Sequence, residues 1–240
     1  TVTVNGTVSA DGTDTGGTYG GGSGGSIYII ANTLTGSGSI TANGKSNSYD
    51  GGGGGRISFN EVTTYSFTGT VQVNGGDADL RGHAGTIAFN EATLANFTLS
   101  KTLRLGNDIE YTFGTLTIQS GGILELDGDV YGNSSQGSGG TINATTVDVQ
   151  LGGIIRVDAM GFDGGQGPGC GTGLYIAGTY GGKGGNNTKA TYGNYLAPIN
   201  LGSGGRNAIN YCGGGAIKIV ATTVTVNGTV SADGTDTGGT

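Results

Sequence analysis

Short apolar runs recur along the whole chain with alternating apolar and polar positions, and glycine, asparagine or aspartate interrupts them. Such alternation is typical of β-strands with one buried face, and the interrupting residues are typical of turns. No stretch keeps the periodicity of an amphipathic α-helix over several turns. The pattern therefore predicts an all-β protein.

The alternating segments fall into six short repeats, each with three short strands. The first strand has Ile at its second position in all six, the second often reads Thr-x-Thr, and the third ends in Asn or Asp. If equivalent strands stack in parallel, the result is a parallel β-helix, or β-solenoid, with about three strands per rung. The short repeats begin at Ser26, Arg56, Thr86, Asp108, Thr141 and Ala216.

Equivalent apolar positions predict columns of inward-facing side chains, each contributing roughly 1.5–3 kcal/mol when buried. The first core column contains Ile27, Ile57, Ile87, Ile109, Ile142 and Ile217. A companion column lies two residues later and contains Ile29, Phe59, Phe89, Tyr111, Ala144 and Ile219. The second strands supply Val2, Leu34, Phe67, Leu99, Leu116, Val147 and Val224. The third strands supply Val8, Ile40, Val71, Leu103, Leu124, Ile155 and Val230.

The polar residues that end the third strands predict a column of corner turns. Asn-Gly and Asp-Gly favour turns with positive φ, and stacked Asn side chains also form ladders. We interpret the column as structural rather than metal-binding. Its members are Asp11, Asn43, Asn74, Asn107, Asp127, Asp158 and Asp233.

Residues 1–18 and residues 223–240 are identical, and both read TVTVNGTVSADGTDTGGT, an offset of 222 residues. This identity predicts a window on a periodic array, with residues 1–222 as one full β-solenoid repeat and residues 223–240 as the start of the next. The partner is then the protein itself, head-to-tail along a fibre, through covalent tandem repeats or identical subunits. The alternative is an overlap introduced by design.

Composition excludes several classes of protein. Gly accounts for 56 of 240 residues, but Pro totals 2 and no Gly-X-Y period exists, which excludes collagen. The net charge is −7 and the ten Lys and Arg residues do not cluster, so we expect no nucleic-acid partner. No apolar run reaches the roughly 20 residues of a membrane span.

Residues 161–214 form an irregular Gly/Tyr-rich insert that contains both cysteines, Cys170 and Cys212. The two cysteines form either one disulfide, as in a secreted protein, or two free thiols. Asn-x-Ser/Thr sequons are candidate glycosylation sites, and those at Asn133 and Asn186 are expected in loops. The other sequons begin at Asn5, Asn96, Asn143 and Asn227.

The strings GGGSGGSIYIIA, GSGSITANG and GGGGGRISF resemble the glycine-rich parallel β-helix repeats of long bacterial surface and secreted proteins. The resemblance covers Tyr19 to Phe59 best and recurs from Gly213 to Gly228. It implies an extracellular or cell-surface array and carries no enzyme signature. Near-identical repeats are more typical of a filament or stalk.

The sequence therefore predicts a structural protein without catalytic residues, cofactor or metal. One alternative is an adhesin or glycan-binding array that uses the insert. Another is an ice-binding solenoid, because paired outward Thr side chains resemble the face of β-solenoid antifreeze proteins. A polysaccharide-degrading β-helix enzyme would need the acidic loop with Asp77, Asp79, Arg81 and His83, which we interpret as a solvated connector.

Overall fold

A computed structural model describes residues 1–13, 20–47, 50–76, 82–89, 94–106, 110–130, 135–171, 173, 175–205 and 211–235. The chain divides into two compact units, and each is described by itself. The first unit comprises Thr1–Glu125, Ile142–Ile155 and Ile219–Val230, and the second comprises Leu126–Thr141, Arg156–Lys218 and Ser231–Thr240.

Within the described residues the regular secondary structure consists almost entirely of short β-strands. These strands lie in the first unit, except that five of them have end residues in the second unit. The alternating apolar runs of the sequence form these strands. In chain order they are β1 (Val2–Thr3), β2 (Thr7–Ser9), β3 (Ser26–Ile30), β4 (Thr33–Gly36), β5 (Ser39–Thr41), β6 (Arg56–Asn60), β7 (Thr64–Phe67), β8 (Thr70–Gln72), β9 (Thr86–Phe89), β10 (Leu94–Leu99), β11 (Thr102–Leu105), β12 (Tyr111–Ile118), β13 (Ile123–Leu126), β14 (Gly140–Val149), β15 (Ile154–Arg156), β16 (Ile217–Val226) and β17 (Thr229–Ser231).

The strands form sheets in which each strand lies beside the equivalent strand of the next short repeat. The largest sheet has the order β2–β5–β8–β11–β13–β15–β17. The others have the orders β1–β4–β7, β3–β6–β9 and β10–β12–β14–β16. Every pair with a described register is parallel. The prediction of an all-β chain with parallel strands is confirmed.

The third-strand column follows the order of the seven-stranded sheet. Val8 pairs with Ile40, Ile40 with Val71, and Val71 with Leu103. The later members, Leu124, Ile155 and Val230, lie on β13, β15 and β17, which follow in the predicted order. The interior of this sheet is almost fully buried at Ile40, Val71, Leu103, Leu124 and Ile155.

The first core column has the predicted strand pairing at its start and a different pairing further along. Ile27 pairs with Ile57 and Ile57 with Ile87, and the rings of Phe59 and Phe89 stack with centroids 5.3 Å apart. Ile109 lies outside the described residues. Ile142, although fully buried, pairs with Tyr111 rather than with Ile109. The companion column shifts in the same way, since Ala144 pairs with Phe113 and not with Tyr111.

The second-strand column contains two further register errors, each of two residues. Leu34 pairs with Tyr65, whereas Phe67 lies beside Gly36. Leu116 pairs with Phe97 rather than with Leu99. A two-residue slip keeps the same side chains on the buried face, so alternation alone does not distinguish the two registers. Aromatic packing accompanies the observed one, with the rings of Tyr65 and Phe97 4.7 Å apart.

The prediction of three separate strands per short repeat holds only in the first part of the chain. The first and second strands are continuous in β12, β14 and β16. In an earlier short repeat they are separated after Asn60, where Glu61 has a φ of 62°. Such a residue bends the chain because a left-handed backbone cannot continue a strand. No residue of β12, β14 or β16 adopts this conformation.

Glycines pack directly against glycines between neighbouring short repeats of the first unit. A Cβ added to Gly55 would overlap the carbonyl oxygen of Gly25, and a Cβ added to Gly85 would overlap that of Gly55. Hydrogen bonds connect the same segments, since the Arg56 amide donates to Gly25 O at 2.8 Å and the Thr86 amide donates to Gly55 O at 3.1 Å. These connectors therefore form a closely packed layer of backbone.

We predict that Gly55→Ala lowers the free energy of unfolding by about 1–3 kcal/mol, because the added methyl group overpacks this layer. Gly53 provides the matched control, since a Cβ there meets no atom within 4 Å. Gly53→Ala should change the stability by less than about 0.5 kcal/mol. Urea unfolding of the two variants checks the prediction, and equal stabilities would contradict it.

Candidate functional site: the matching sheet edges

The described parts of the two identical segments, residues 1–13 and 223–235, contain edge strands of the parallel sheets. Strand β2, from the first copy, and strand β17, from the second copy, are the outermost strands of the seven-stranded sheet. Strand β1 is the edge of the sheet with order β1–β4–β7, and β16, which contains the second copy of the same residues, is the edge of the sheet with order β10–β12–β14–β16. Each copy therefore supplies edge strands. In the seven-stranded sheet the first copy lies at one end of the strand order and the second copy lies at the other end.

The first copy bonds to the short repeat that follows it in the chain. The Val4 amide donates to Thr35 O at 2.9 Å, and the Ala10 amide donates to Thr41 O at 2.8 Å. Side chains stack in the same direction, with Val2 opposite Leu34 and Val8 opposite Ile40.

The second copy bonds to the short repeat that precedes it, through different residues. The Asn227 amide donates to Val149 O at 2.7 Å, and the Thr229 amide donates to Gly153 O at 3.0 Å. These residues correspond to Asn5 and Thr7 of the first copy. The first copy instead bonds to the following short repeat through the amides of Val4 and Ala10. Alternate residues of a strand point their amides to opposite neighbours. The Gly228 amide also donates to Val149 O, at 3.0 Å. The forward and backward bonds use different amides and are therefore compatible within one segment.

The second copy leaves apolar side chains exposed at its edge. Val226 is 46% exposed, whereas its counterpart Val4, beside the following short repeat, is 7% exposed. Val224 and Val230 are also exposed at this edge. An uncovered sheet edge with apolar side chains favours pairing with another strand.

The corner residues connect neighbouring short repeats through their side-chain oxygens. Asp11 Oδ1 accepts the Asn43 amide at 2.6 Å, and Asn43 Oδ1 accepts the Asn74 amide at 2.8 Å. In the second unit Asp158 Oδ1 accepts the Asp233 amide at 2.8 Å. The ladder interpretation holds for these corners.

The expected positive φ at these corners is wrong. None of Asp11, Asn43, Asn74, Asp127, Asp158 and Asp233, all of which the structure describes, has a positive φ. At Asp11, Asn43 and Asp158 the side-chain oxygen instead accepts the backbone amide of the next corner. Asp127 differs from the others, since its buried carboxylate accepts the amide of its own neighbour, Gly128, at 3.0 Å. Asn107 lies outside the described residues.

Hydroxyl groups complete the corner at Asp11. Ser9 Oγ and Thr41 Oγ1 each donate to Asp11 Oδ2 at 2.9 Å. Burial alone would raise the pKa of Asp11, but the hydrogen bonds from Asn43, Ser9 and Thr41 outweigh it and hold the pKa below its ordinary value of 3.8. The sequence pattern identified Asp11 but not the two hydroxyls that stabilise its charge.

The insert is held together mainly by polar contacts in the second unit. Asn187, 4% exposed, donates through Nδ2 to Gly169 O at 2.9 Å and to Ala177 O at 2.6 Å. The Tyr192 hydroxyl lies 2.7 Å from Ser203 Oγ, and burial raises its pKa to about 12. The apolar core of this region is small and consists of Phe162, Leu201 and Ala216, with Val130 packed against it.

Both cysteines are free thiols, so the structure does not contain the expected disulfide. Cys212 is buried, and its Sγ donates to Asp163 Oδ1 at 3.3 Å. Cys170 is half-buried. Of the two alternatives that the sequence leaves open, the structure contains the pair of free thiols.

The insert also borders a pocket of about 730 Å³ in the second unit. Tyrosine, glycine and the segment with Ala232 line it, and Tyr175 at its rim is 89% exposed. A smaller pocket of about 270 Å³ shares Tyr180 with the first and includes Tyr195, which is also 89% exposed. Of the exposed aromatic rings in the described residues, Tyr175 and Tyr195 lie in the insert and Tyr28, 62% exposed, lies on β3.

The candidate glycosylation sites differ in accessibility. Asn186 is exposed in a loop with a φ of 56°, as expected, whereas Asn133 lies outside the described residues. Asn143 is half-buried on β14, and its Nδ2 donates to Glu110 Oε2 at 3.2 Å. The remaining sequons have exposed asparagines: Asn5, Asn96 and Asn227.

The acidic loop can be described only at one end. Asp77, Asp79 and Arg81 lie outside the described residues, and His83 is exposed. Among the residues that the structure describes, no three His, Cys, Asp or Glu side chains are placed to hold a metal ion. The described part of the chain also contains no helix with the length and apolar character needed to cross a bilayer.

The outward Thr pairs form a less regular array than the sequence predicts. Thr3 pairs with Thr35, and Thr115 pairs with Thr146. Thr98, however, pairs with Thr117, and Asn96 rather than Thr98 lies opposite Thr115. The two-residue slip therefore interrupts the array.

Comparison with protein-family models, curated proteins and solved structures finds no match to this chain.

We predict that Asp11 contributes stability that is lost in acid. Because its pKa in the folded protein is depressed, this contribution is complete above the ordinary value of 3.8 and disappears as the pH falls through the lower folded value. Asp11→Asn keeps an oxygen that can accept the Asn43 amide but removes the charge. The stability difference between the two proteins should therefore shrink in acid. Urea unfolding from about pH 6 to pH 2 checks this, and a difference independent of pH would contradict it.

Proposed function

We propose that this chain is a structural repeat of an extracellular β-solenoid filament or surface stalk. The observation that supports the proposal best is the position of the two identical segments at opposite edges of the parallel sheets. A strand sequence that serves as both edges of one sheet can also lie in its interior. The architecture is then extended by repetition, and its role is mechanical.

In this proposal the parallel sheets are the faces of one solenoid, and each short repeat is one rung. The parallel pairing of equivalent strands supports this arrangement, as do the glycine contacts and the corner ladder between neighbouring short repeats. Each rung contacts only its neighbours, so the stability comes from the interfaces between rungs. A chain of this kind needs neither a catalytic residue nor a cofactor.

The extracellular location rests on the sequence. The glycine-rich strings resemble repeats of bacterial surface and secreted proteins, and the sequons at Asn5 and Asn186 are accessible to glycosylation. A filament or stalk made of many periods suits that location. The free thiols of Cys170 and Cys212 argue neither for nor against this extracellular location.

We predict that each additional period lengthens the particle without widening it. Six strand-to-strand steps separate β2 from β17, and at about 4.8 Å per step one period advances the axis by ~29 Å. In negative-stain images of chains with one, two and four periods, the length should therefore increase by this increment for each added period. Separate particles joined by flexible connections would contradict the filament proposal.

A second candidate function is carbohydrate binding by the insert, and the exposure of Tyr175 and Tyr195 favours it. Aromatic rings of this kind supply an apolar face together with a hydroxyl group. An array that repeats the insert once per period would bind a polysaccharide through many weak contacts.

We predict for this candidate that the protein binds on a glycan array and that Tyr175→Ala combined with Tyr195→Ala weakens binding by about tenfold or more. Lys183→Gln, at an exposed position of the insert outside the Asn186 sequon, serves as the control and should bind as the unmodified chain does. Absence of binding to every glycan would remove this candidate and leave the filament proposal intact.

A further inference from the structure

The edge formed by the second copy is complementary to one particular segment of the same sequence. In the first copy, β1 and β2 are covered by residues 33–43, which comprise β4, β5 and the corner at Asn43. The second copy has the same residues in the same order. We infer that residues 33–43 of a following period dock on β16 and β17, an inference that rests on the proposed function.

The inferred register is fixed residue by residue. Val2 pairs with Leu34, so Val224 pairs with Leu34 of the following period. Val8 pairs with Ile40, so Val230 pairs with the following Ile40. Both valines are exposed at this edge and become covered.

The backbone groups needed for this junction are distinct from those that the second copy already uses. Docking uses the amides of Val226 and Ala232, because their counterparts Val4 and Ala10 donate to Thr35 O and Thr41 O. The second copy bonds backward through the Asn227 and Thr229 amides instead. The backward donors, which also include the Gly228 amide, are thus different from the Val226 and Ala232 amides, and one segment can bond to both neighbours.

The corner provides an independent connection in the same register. Asp11 accepts the Asn43 amide through Oδ1, and its counterpart Asp233 uses its own amide to bond backward to Asp158. Asp233 is exposed, and its carboxylate corresponds to the carboxylate of Asp11 that accepts the Asn43 amide. We therefore assign Asp233 as the acceptor for the following Asn43 amide.

The occupant is a following period of this sequence rather than an unrelated strand. A generic β-strand could satisfy the backbone of the edge. It would not supply Leu34, Ile40 and Asn43 at the spacing that matches Val224, Val230 and Asp233. The spacing matches because the first copy already binds this segment in the structure.

The test uses a chain in which residues 19–240 are appended after Thr240, so that the period continues once. Cysteines replace Val230 and Ile40 of the appended period, in a background with Cys170→Ser and Cys212→Ser. Serine at 212 retains a donor toward Asp163. Facing positions on neighbouring strands lie within the distance that a disulfide spans.

Two control pairs calibrate the experiment. Val8→Cys with Ile40→Cys in the first period reports an observed register pair. Val230→Cys with Val71→Cys of the appended period places the thiols two strands apart, at roughly 9–10 Å, beyond the reach of a disulfide. We expect the junction pair to oxidise as completely as the first control and about tenfold more than the second.

Hydrogen exchange gives a second measurement that needs no cysteines. The amides of Val226 and Ala232 should exchange at least about tenfold more slowly in the extended chain than in the 240-residue chain, because both become hydrogen-bonded. Unchanged exchange together with an unoxidised junction pair would overturn the inferred register. If the extended chain still lengthens as a single thread, only this junction is wrong. If it does not lengthen, the filament proposal itself fails.

Discussion

Backbone hydrogen bonding between parallel strands is the interaction on which the rest of this structure depends. Each strand directs alternate amides to opposite neighbours, so a strand at an edge has half of its bonding groups directed outward. The two identical segments meet this constraint from opposite sides: one bonds forward through Val4 and Ala10, and the other bonds backward through Asn227 and Thr229. The sequence thereby makes the two edges of its own sheet complementary.

Close approach of the backbone is the second constraint, and it explains the composition. Neighbouring short repeats meet where glycine faces glycine, as at Gly25, Gly55 and Gly85, and a methyl group there would overlap a carbonyl oxygen. Buried side chains such as Ile40 and Leu124 fill the interior of the sheets, and Asp11 and Asn43 connect the corners. Apolar burial, glycine contact and the polar ladder all act between neighbours, which is why repetition suits this chain.

Sequence periodicity predicted the all-β class, the parallel sheets and the third-strand column over its described pairing, from Val8 through Ile40 and Val71 to Leu103. It failed at Leu99 and Phe67, where several apolar residues lie two positions apart and either register buries them. It missed the hydroxyls of Ser9 and Thr41 at the corner, since serine and threonine are frequent on exposed strands. The insert was recognised only as irregular, because side-chain to backbone bonds such as those of Asn187 leave no periodic signal.

Fibre diffraction from aligned filaments of a multi-period chain tests the central claim most directly. Strands stacked along one axis should give a strong meridional reflection at about 4.8 Å together with layer lines indexing on an axial period of about 29 Å. Strands that run along the axis would place the 4.8 Å reflection on the equator. That pattern, or the absence of the longer period, would contradict the account.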